Sequence, residues 1–306
     1  MTTLVFGHLS PDTDSTGSPI IWAWFLNEVR KTPAEAVLLG EPNTEAAFVL
    51  KHWDCPKPRI MTEIADGTTA VVVDTNNPGE LPGNINELDV AAIIDHHKLV
   101  GGLETKGPID ITIRPLACTA TIMNSLIGKH MAQAPAWVKG LMLSCILSDT
   151  LEFRSPTTTQ EDRAIAHALA DDLGVDMGAL ASAMFAAKSD VSAFSDAELL
   201  RMDSKNYEVG GKKFRVSVLE TTSPEQILSR KDSLMASMDS VANEDGADQV
   251  LLFIVDILRE EATMLVPNDV TRNVAEKSFG VSVSGDTVTL PGVMSRKKQI
   301  IPVLAV

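Results

Sequence analysis

Cationic residues are scarce in this chain, and so are cysteines and aromatic rings. Lys and Arg number 26 against 41 Asp and Glu, a formal net charge of −15. Such a chain is a poor passive binder of a nucleic-acid backbone or an anionic membrane, since both attract cationic surface. An anionic substrate held through bound metal ions is not excluded, because the ions supply the missing charge. Aromatic residues make up only 5 % of the sequence, which leaves little for a base-stacking groove. The three cysteines, Cys55, Cys118 and Cys145, are odd in number, widely spaced and without a C-x-x-C. A disulfide framework is therefore not expected. Each cysteine reads as a small buried hydrophobe, and a reducing cytoplasm is the expected compartment. No apolar run approaches the ~18 residues of a membrane span, and VLLFIV, ending at Val255, reads as a buried strand. The opening MTTLVFGHLSPDTDS has no basic stretch leading into a long apolar one, so no signal peptide is expected. There is no internal repeat and no low-complexity stretch.

What is present is ordinary globular material, 306 residues with 44 % hydrophobic and 22 % charged. A prior of roughly 150 residues per domain suggests two domains. In the first part, Thr3 to Phe6, Ala36 to Leu39, Thr69 to Val73, Val90 to Ile94 and Ile109 to Ile113 read as strands. They are continuous apolar runs, the pattern of strands buried on both faces, so an N-terminal parallel sheet with helices on both faces is expected. Apolar spacing predicts helices over Ser15 to Lys31, capped by Asp14 or Ser15, and over Thr44 to His52. Further helices are expected over Ala117 to Met131, Ala136 to Leu151, Thr159 to Leu173 and Met177 to Ala187, with Gly174 as a C-cap. Small polar residues then mark a linker at 188–195, dividing a domain at 1–187 from a smaller α/β domain with a mixed sheet at 196–306. There Lys213 to Leu219, Val250 to Val255 and Ala262 to Val266 read as strands, and Pro224 to Val241 as one long helix.

The chemistry lies at strand ends. His8, Asp12 and Asp14 follow the first strand, Asp74 ends TAVVV, and Asp95, His96 and His97 end VAAII. In an open parallel sheet these ends share one edge, where ligands bind. Asp149, near the end of an apolar helix, is a fourth candidate. Singly, each has a bland reading: Asp12 and Asp14 as turn or cap residues, Asp74 as the start of an Asx-turn. Together they form a set of carboxylates that would repel one another unless a cation sits among them. Mixed Asp and His donors suit Mn²⁺, Co²⁺, Fe²⁺ or Zn²⁺, and this many candidates exceeds what one ion uses. Two ions about 3.5 to 4 Å apart suit phosphoryl hydrolysis. His52, His130 and His167 lie in or beside helices and read as packing residues. The basic run Arg296, Lys297 and Lys298 alone reads as a solvated face; beside a two-metal phosphate site it would also suit phosphate binding.

The order H-x-x-x-D-x-D (His8, Asp12, Asp14), Asp74, Asp95-His96-His97 and Asp149 resembles the DHH phosphoesterases. The ending Ser295-Arg296-Lys297-Lys298-Gln299 narrows the resemblance to family II, the manganese-dependent inorganic pyrophosphatases, over essentially the whole chain. That resemblance implies cytoplasmic homodimers with a DHH and a DHHA2 domain. They would hydrolyse pyrophosphate to two phosphates with a hydroxide bridging two Mn²⁺ ions between the domains. Opening and closing about the linker would admit substrate. Co²⁺ would substitute for Mn²⁺, and further Mg²⁺ would enter with substrate. It implies one ion on His8, Asp12, Asp74 and Asp149 and the other on Asp14, Asp74, His96 and Asp149. Asp95 would accept a hydrogen bond from a ligand histidine. His97 would bind substrate and protonate the leaving phosphate, and Lys205, Arg296 and Lys297 would bind phosphate. Many members carry His-Asn after the bridging aspartate, whereas here Thr75 precedes Asn76. No nucleotide-sensing insertion is present. The alternatives are another DHH phosphoesterase, acting on short oligonucleotides or polyphosphate, and a catalytically silent phosphate-binding regulator.

Overall fold

A computed structural model describes residues 2–306. The chain divides into two units, residues 1–188 and 189–306. In chain order the first contains β1 (Thr3–Phe6), α1 (Thr13–Trp24), β2 (Ala34–Ala36), α2 (Thr44–His52), β3 (Thr69–Val73), β4 (Asp89–Asp95), β5 (Asp110–Ile113), α3 (Thr119–Ile127), α4 (Ala136–Asp149), α5 (Gln160–Leu173) and α6 (Met177–Lys188). The five strands form one parallel sheet in the order β2-β1-β3-β4-β5. From β1 the chain winds to β2 on one side and then returns to β3 on the other. The winding therefore reverses between β1 and β3, the place where open α/β sheets bind ligands.

Side-chain alternation explains the layering. Leu4 and Phe6 of β1, Ala70 and Val72 of β3 and Val90 of β4 join a core completed by Ile64, Leu81, Ile85 and Leu88 from the connecting segments. Against β1 and β2 lies α1, and α3 packs against β4. Helix α4 is buried almost all round from Val138 to Ser148, so its apolar residues show no single stripe.

The second unit contains α7 (Asp196–Met202), β6 (Ser204–Val209), β7 (Lys212–Thr221), α8 (Pro224–Leu228), α9 (Lys231–Glu244), β8 (Gln249–Asp256), β9 (Glu261–Leu265), α10 (Asp269–Phe279) and β10 (Thr287–Pro291). Its sheet runs β10-β9-β8-β7-β6, with β7 and β8 parallel and the other pairs antiparallel. The sheet is thus mixed, as expected. Along β8, Val250, Leu252 and Ile254 enter one core, while Leu251, Phe253 and Val255 enter the other. Period-two alternation between two buried faces is what the unbroken apolar run encodes.

Several boundaries differ from the sequence reading for local reasons. Helix α1 starts at Thr13, because Asp12, not Asp14, caps it by accepting the Ser15 amide at 2.9 Å. After Trp24 it widens into a π-helical turn, Phe25–Arg30, which Lys31 ends at φ 55°. The edge strand β2 pairs over Ala34–Ala36; beyond it the buried Val37 still donates its amide to the Val5 carbonyl at 2.9 Å, and Leu38 bridges to Ile60. The long helix expected from Pro224 is two helices. Arg230 leaves helical geometry (φ −100°, ψ 12°), and its guanidinium holds Asp196 and the carbonyls of Val191 and Phe194. The short elements α7, β6, α10 and β10 escaped the apolar pattern. Both helices are marked by capping boxes, Ser195 with Glu198 and Asn268 with Thr271.

Gly7 joins β1 to the site. A Cβ there would fall on Ser15 Oγ, the atom that accepts the His8 amide at 2.8 Å. Gly7→Ala is expected to cost about 1–3 kcal/mol by overpacking, read by urea unfolding. An unchanged midpoint would show that the helix start yields freely.

Candidate metal centre

Two strand ends at the winding reversal, the end of a third strand and one helix terminus deliver the acidic and imidazole groups. Asp74 leaves β3 with φ 60°, a left-handed conformation that aspartate tolerates better than most residues. The turn puts its carboxylate at the centre of the cluster. His8 Nε2 lies 3.6 Å from Asp74 Oδ2 and 3.7 Å from Asp12 Oδ2. On the other side His96 Nε2 lies 3.4 Å from Asp74 Oδ1. Two groupings with metal-ligand spacing result, His8–Asp12–Asp74 and Asp14–His96–Asp149, and a third joins Asp74 to His96 and His97. Each of the two expected ligand sets thus has three of its four members gathered.

Hydrogen bonds fix the orientation of these groups. Asp14 is buried and accepts Ser18 Oγ–H and the Thr119 amide, both at 2.6 Å. Thr119 Oγ1 donates to Asp74 Oδ1 at 3.1 Å. The Leu116 carbonyl lies 3.2 Å from His96 Nδ1. A carbonyl only accepts, so Nδ1 carries the hydrogen and Nε2 keeps its lone pair for a metal. Asp95 does not hold the ligand histidine, contrary to the expectation. Its Oδ1 takes both the His97 amide at 3.0 Å and His97 Nδ1 at 2.9 Å, while Asn76 donates to Oδ2 at 2.5 Å. The physical reason is the turn after β4, which folds the His97 backbone onto the Asp95 side chain. Thr75 donates from Oγ1 to Glu80 Oε2 at 2.7 Å.

The electrostatics ask for a cation. Burial first, and then the charges of Asp14, Asp12, Asp149 and Asp95, push the Asp74 carboxyl well above the usual carboxylate range. Burial followed by Asp14 and Asp12 does the same to Asp149. Asp149 Oδ2 is buried with no hydrogen-bond partner. Asp12 is the exception: burial would raise it, but hydrogen bonds from His8 and Ser15, with the charges of His8 and Lys188, hold it below its ordinary value. Two like charges 4 Å apart repel by on the order of 4 kcal/mol at the effective dielectric near a protein surface. An orphaned carboxylate oxygen, imidazole nitrogens and several carboxylates fit a Mn²⁺-type ion.

The other predicted residues lie in the second unit. Lys205 on β6 lines a cavity with Asp203, Tyr207, Ser295, Arg296 and Lys297. Arg296 is fixed there by Asp203, through Nη1 to its carbonyl at 2.7 Å and Nη2 to its carboxylate at 2.8 Å. The sequence reading missed Asp203, Ser18, Thr119 and Leu116. Asp203 sits two residues before Lys205 and was within reach of inspection, but the Thr119–Asp14 bond spans 105 residues and has no local signal. His52 packs against Phe48 and Trp53, and His167 stacks on Phe153. Among the described residues neither they nor His130 joins a metal-type grouping.

A parallel sheet with acid and imidazole at its strand ends, followed by a mixed-sheet unit, is the DHH–DHHA2 architecture. The family model described as the DHH family N-terminal domain matches residues 2–148, and that of the DHHA2 domain matches 182–305. The probable manganese-dependent inorganic pyrophosphatase of Deinococcus radiodurans is 41 % identical over 98 % of this chain and 96 % of its own. A crystal structure of the putative family II inorganic pyrophosphatase of Methanococcus jannaschii superimposes with a TM-score of 0.62 at 33 % identity, covering 99 % of this chain and 97 % of that one. An exopolyphosphatase-related protein from Bacteroides fragilis, TM-score 0.52 at 12 % identity over 98 % of this chain and 89 % of that one, shares the fold. The chain belongs to the family of manganese-dependent inorganic pyrophosphatases.

The raised carboxyls give a stability test. Asp74 and Asp149 keep protons in the metal-free fold at pH values where the unfolded chain has lost them. Their stabilising contribution is full below the unfolded carboxylate pKa and is lost as pH rises through the raised values. The Tm gain on adding Mn²⁺ to chelated protein is therefore expected to be larger at about pH 8 than at about pH 6. Equal gains at both would contradict this electrostatic picture.

Proposed function

We propose that this chain hydrolyses inorganic pyrophosphate to two phosphates, using two Mn²⁺ ions per subunit. His8, Asp12, Asp74 and Asp149 would hold one ion and Asp14, Asp74, His96 and Asp149 the other, with Asp74 and Asp149 shared. The observation that carries this reading is Asp74, buried between the His8–Asp12 and His96 sides and crowded by the carboxylates of Asp14, Asp12, Asp149 and Asp95. When bound, the ions offset these charges and lower the pKa of water at the site. Co²⁺ serves as a substitute, and Mg²⁺ accompanies the substrate.

The chain's own groups do the rest. His97 gives Nδ1–H to Asp95, which leaves Nε2 to bind substrate and protonate the leaving phosphate. Asp95 beside it raises its pKa against the opposing effect of burial, so the acid form is present near neutral pH. Lys205, Arg296 and Lys297 bind phosphate oxygens and offset charge as it develops on them. Asp203 holds the Arg296 fork in place, so less side-chain freedom is lost on binding. Two copies of the chain form a homodimer. The edge position of β5 and its exposed Ile111 support that pairing. The three unpaired cysteines support a cytoplasmic location. No helix among the described residues is long and apolar enough to cross a membrane.

Phosphate release after chelation, then restoration with Mn²⁺ and Mg²⁺, tests the reaction, with polyphosphate and a dinucleotide alongside. Release confined to pyrophosphate and rescued by Mn²⁺ is expected. Release from another substrate alone, or from none, would overturn the reading. His97→Gln is expected to lower turnover by about 10²–10⁴-fold with bound Mn²⁺ unchanged. Full turnover would remove His97 as the proton donor.

A further inference from the structure

Glu45 is the one buried glutamate among the described residues, and nothing in the reaction uses it. It lies in the first turn of α2 with 0 % exposure. Its Oε2 accepts Thr13 Oγ1–H at 2.9 Å and Ser148 Oγ–H at 2.7 Å, and it pairs with Lys188 Nζ at 3.4 Å. Its Oε1 is buried without a hydrogen-bond partner. The donors' places in the chain matter more than their number. Thr13 stands between Asp12 and Asp14, and Ser148 immediately precedes Asp149. One oxygen therefore ties together the start of α1, 32 residues before Glu45, and the end of α4, 103 residues after it.

We propose that Glu45 is a positioning residue for the metal ligands. Through Thr13 and Ser148 it sets the spacing of Asp12, Asp14 and Asp149 before any cation arrives. This rests on the ligand set proposed above but not on the substrate. Mutual repulsion would spread those three carboxylates in the metal-free protein. Lys188, the last residue of α6, reaches the same oxygen and ties a third helix to this point. The alternative is a plain core contact whose loss loosens the whole unit.

Mn²⁺ titration of the chelated full-length protein, following free Mn²⁺ by electron paramagnetic resonance, separates the two. Glu45→Ala is expected to weaken Mn²⁺ binding by about 10- to 100-fold. Glu45→Gln keeps one oxygen for both hydroxyls and places its amide where Oε1 already lacks a partner, so it is expected to stay within about threefold of the parent. Val49→Ala, a core truncation on the same helix, is expected to lower Tm and leave Mn²⁺ affinity alone. Should Glu45→Ala not fold, Ser148→Ala decides, with an expected loss of about threefold or more. Parental affinity in Glu45→Ala or in Ser148→Ala would overturn the proposal, as would an equal loss in Val49→Ala. The readout involves no substrate. A parent protein that binds Mn²⁺ but leaves pyrophosphate intact would sink the proposed reaction without touching this inference.

Discussion

Like charges crowded into a buried place set the terms for the first unit. Asp74, with Asp14, Asp12, Asp149 and Asp95 around it, carries more negative charge than its hydrogen bonds can stabilise. The donors that reach these carboxylates are mostly neutral, namely the Ser15 and Thr119 amides and the Ser18 and Thr119 hydroxyls. Such donors orient a carboxylate but do not cancel its charge. The rest of the unit reads as a frame that keeps the cluster from flying apart: a cap on α1, a left-handed turn at Asp74, a carbonyl behind His96. A divalent cation completes it.

The acidic cluster and the candidate phosphate-binding side chains lie in different units. The acidic cluster is built by the parallel sheet, where strand ends converge on one edge. The cationic groups sit on the mixed-sheet unit, in which Asp203 clamps Arg296 and Lys205 lines the same cavity. In a chain at −15, that cavity gathers Lys205, Arg296 and Lys297 beside the acidic Asp203 and Glu220.

Much of this was legible in the sequence, for a physical reason. A strand buried on both faces must be apolar throughout, so a polar residue at its end stands out. TAVVV followed by Asp74, and VAAII followed by Asp95, His96 and His97, announce themselves in that way. What could not be read was which side chain each group would face. Asp95 and both histidines are neighbours in sequence, and only the turn after β4 decides that Asp95 holds His97 while Leu116 holds His96. Nothing marks Thr119 or Leu116 in the linear pattern. Glu45 looks like any acidic residue in the first turn of a helix. The cap on α1 was misplaced because Asp12 and Asp14 are equally good capping types, and the choice depends on Asp14 being drawn inward by Thr119.

The most direct measurement is anomalous diffraction at the manganese edge from crystals grown with Mn²⁺. Two peaks within about 4 Å of each other are expected, both touching Asp74 and Asp149, one beside His8 and the other beside His96. A single peak, or density on the Asp74–His96–His97 grouping instead, would contradict the account that two ions resolve this cluster of carboxylates.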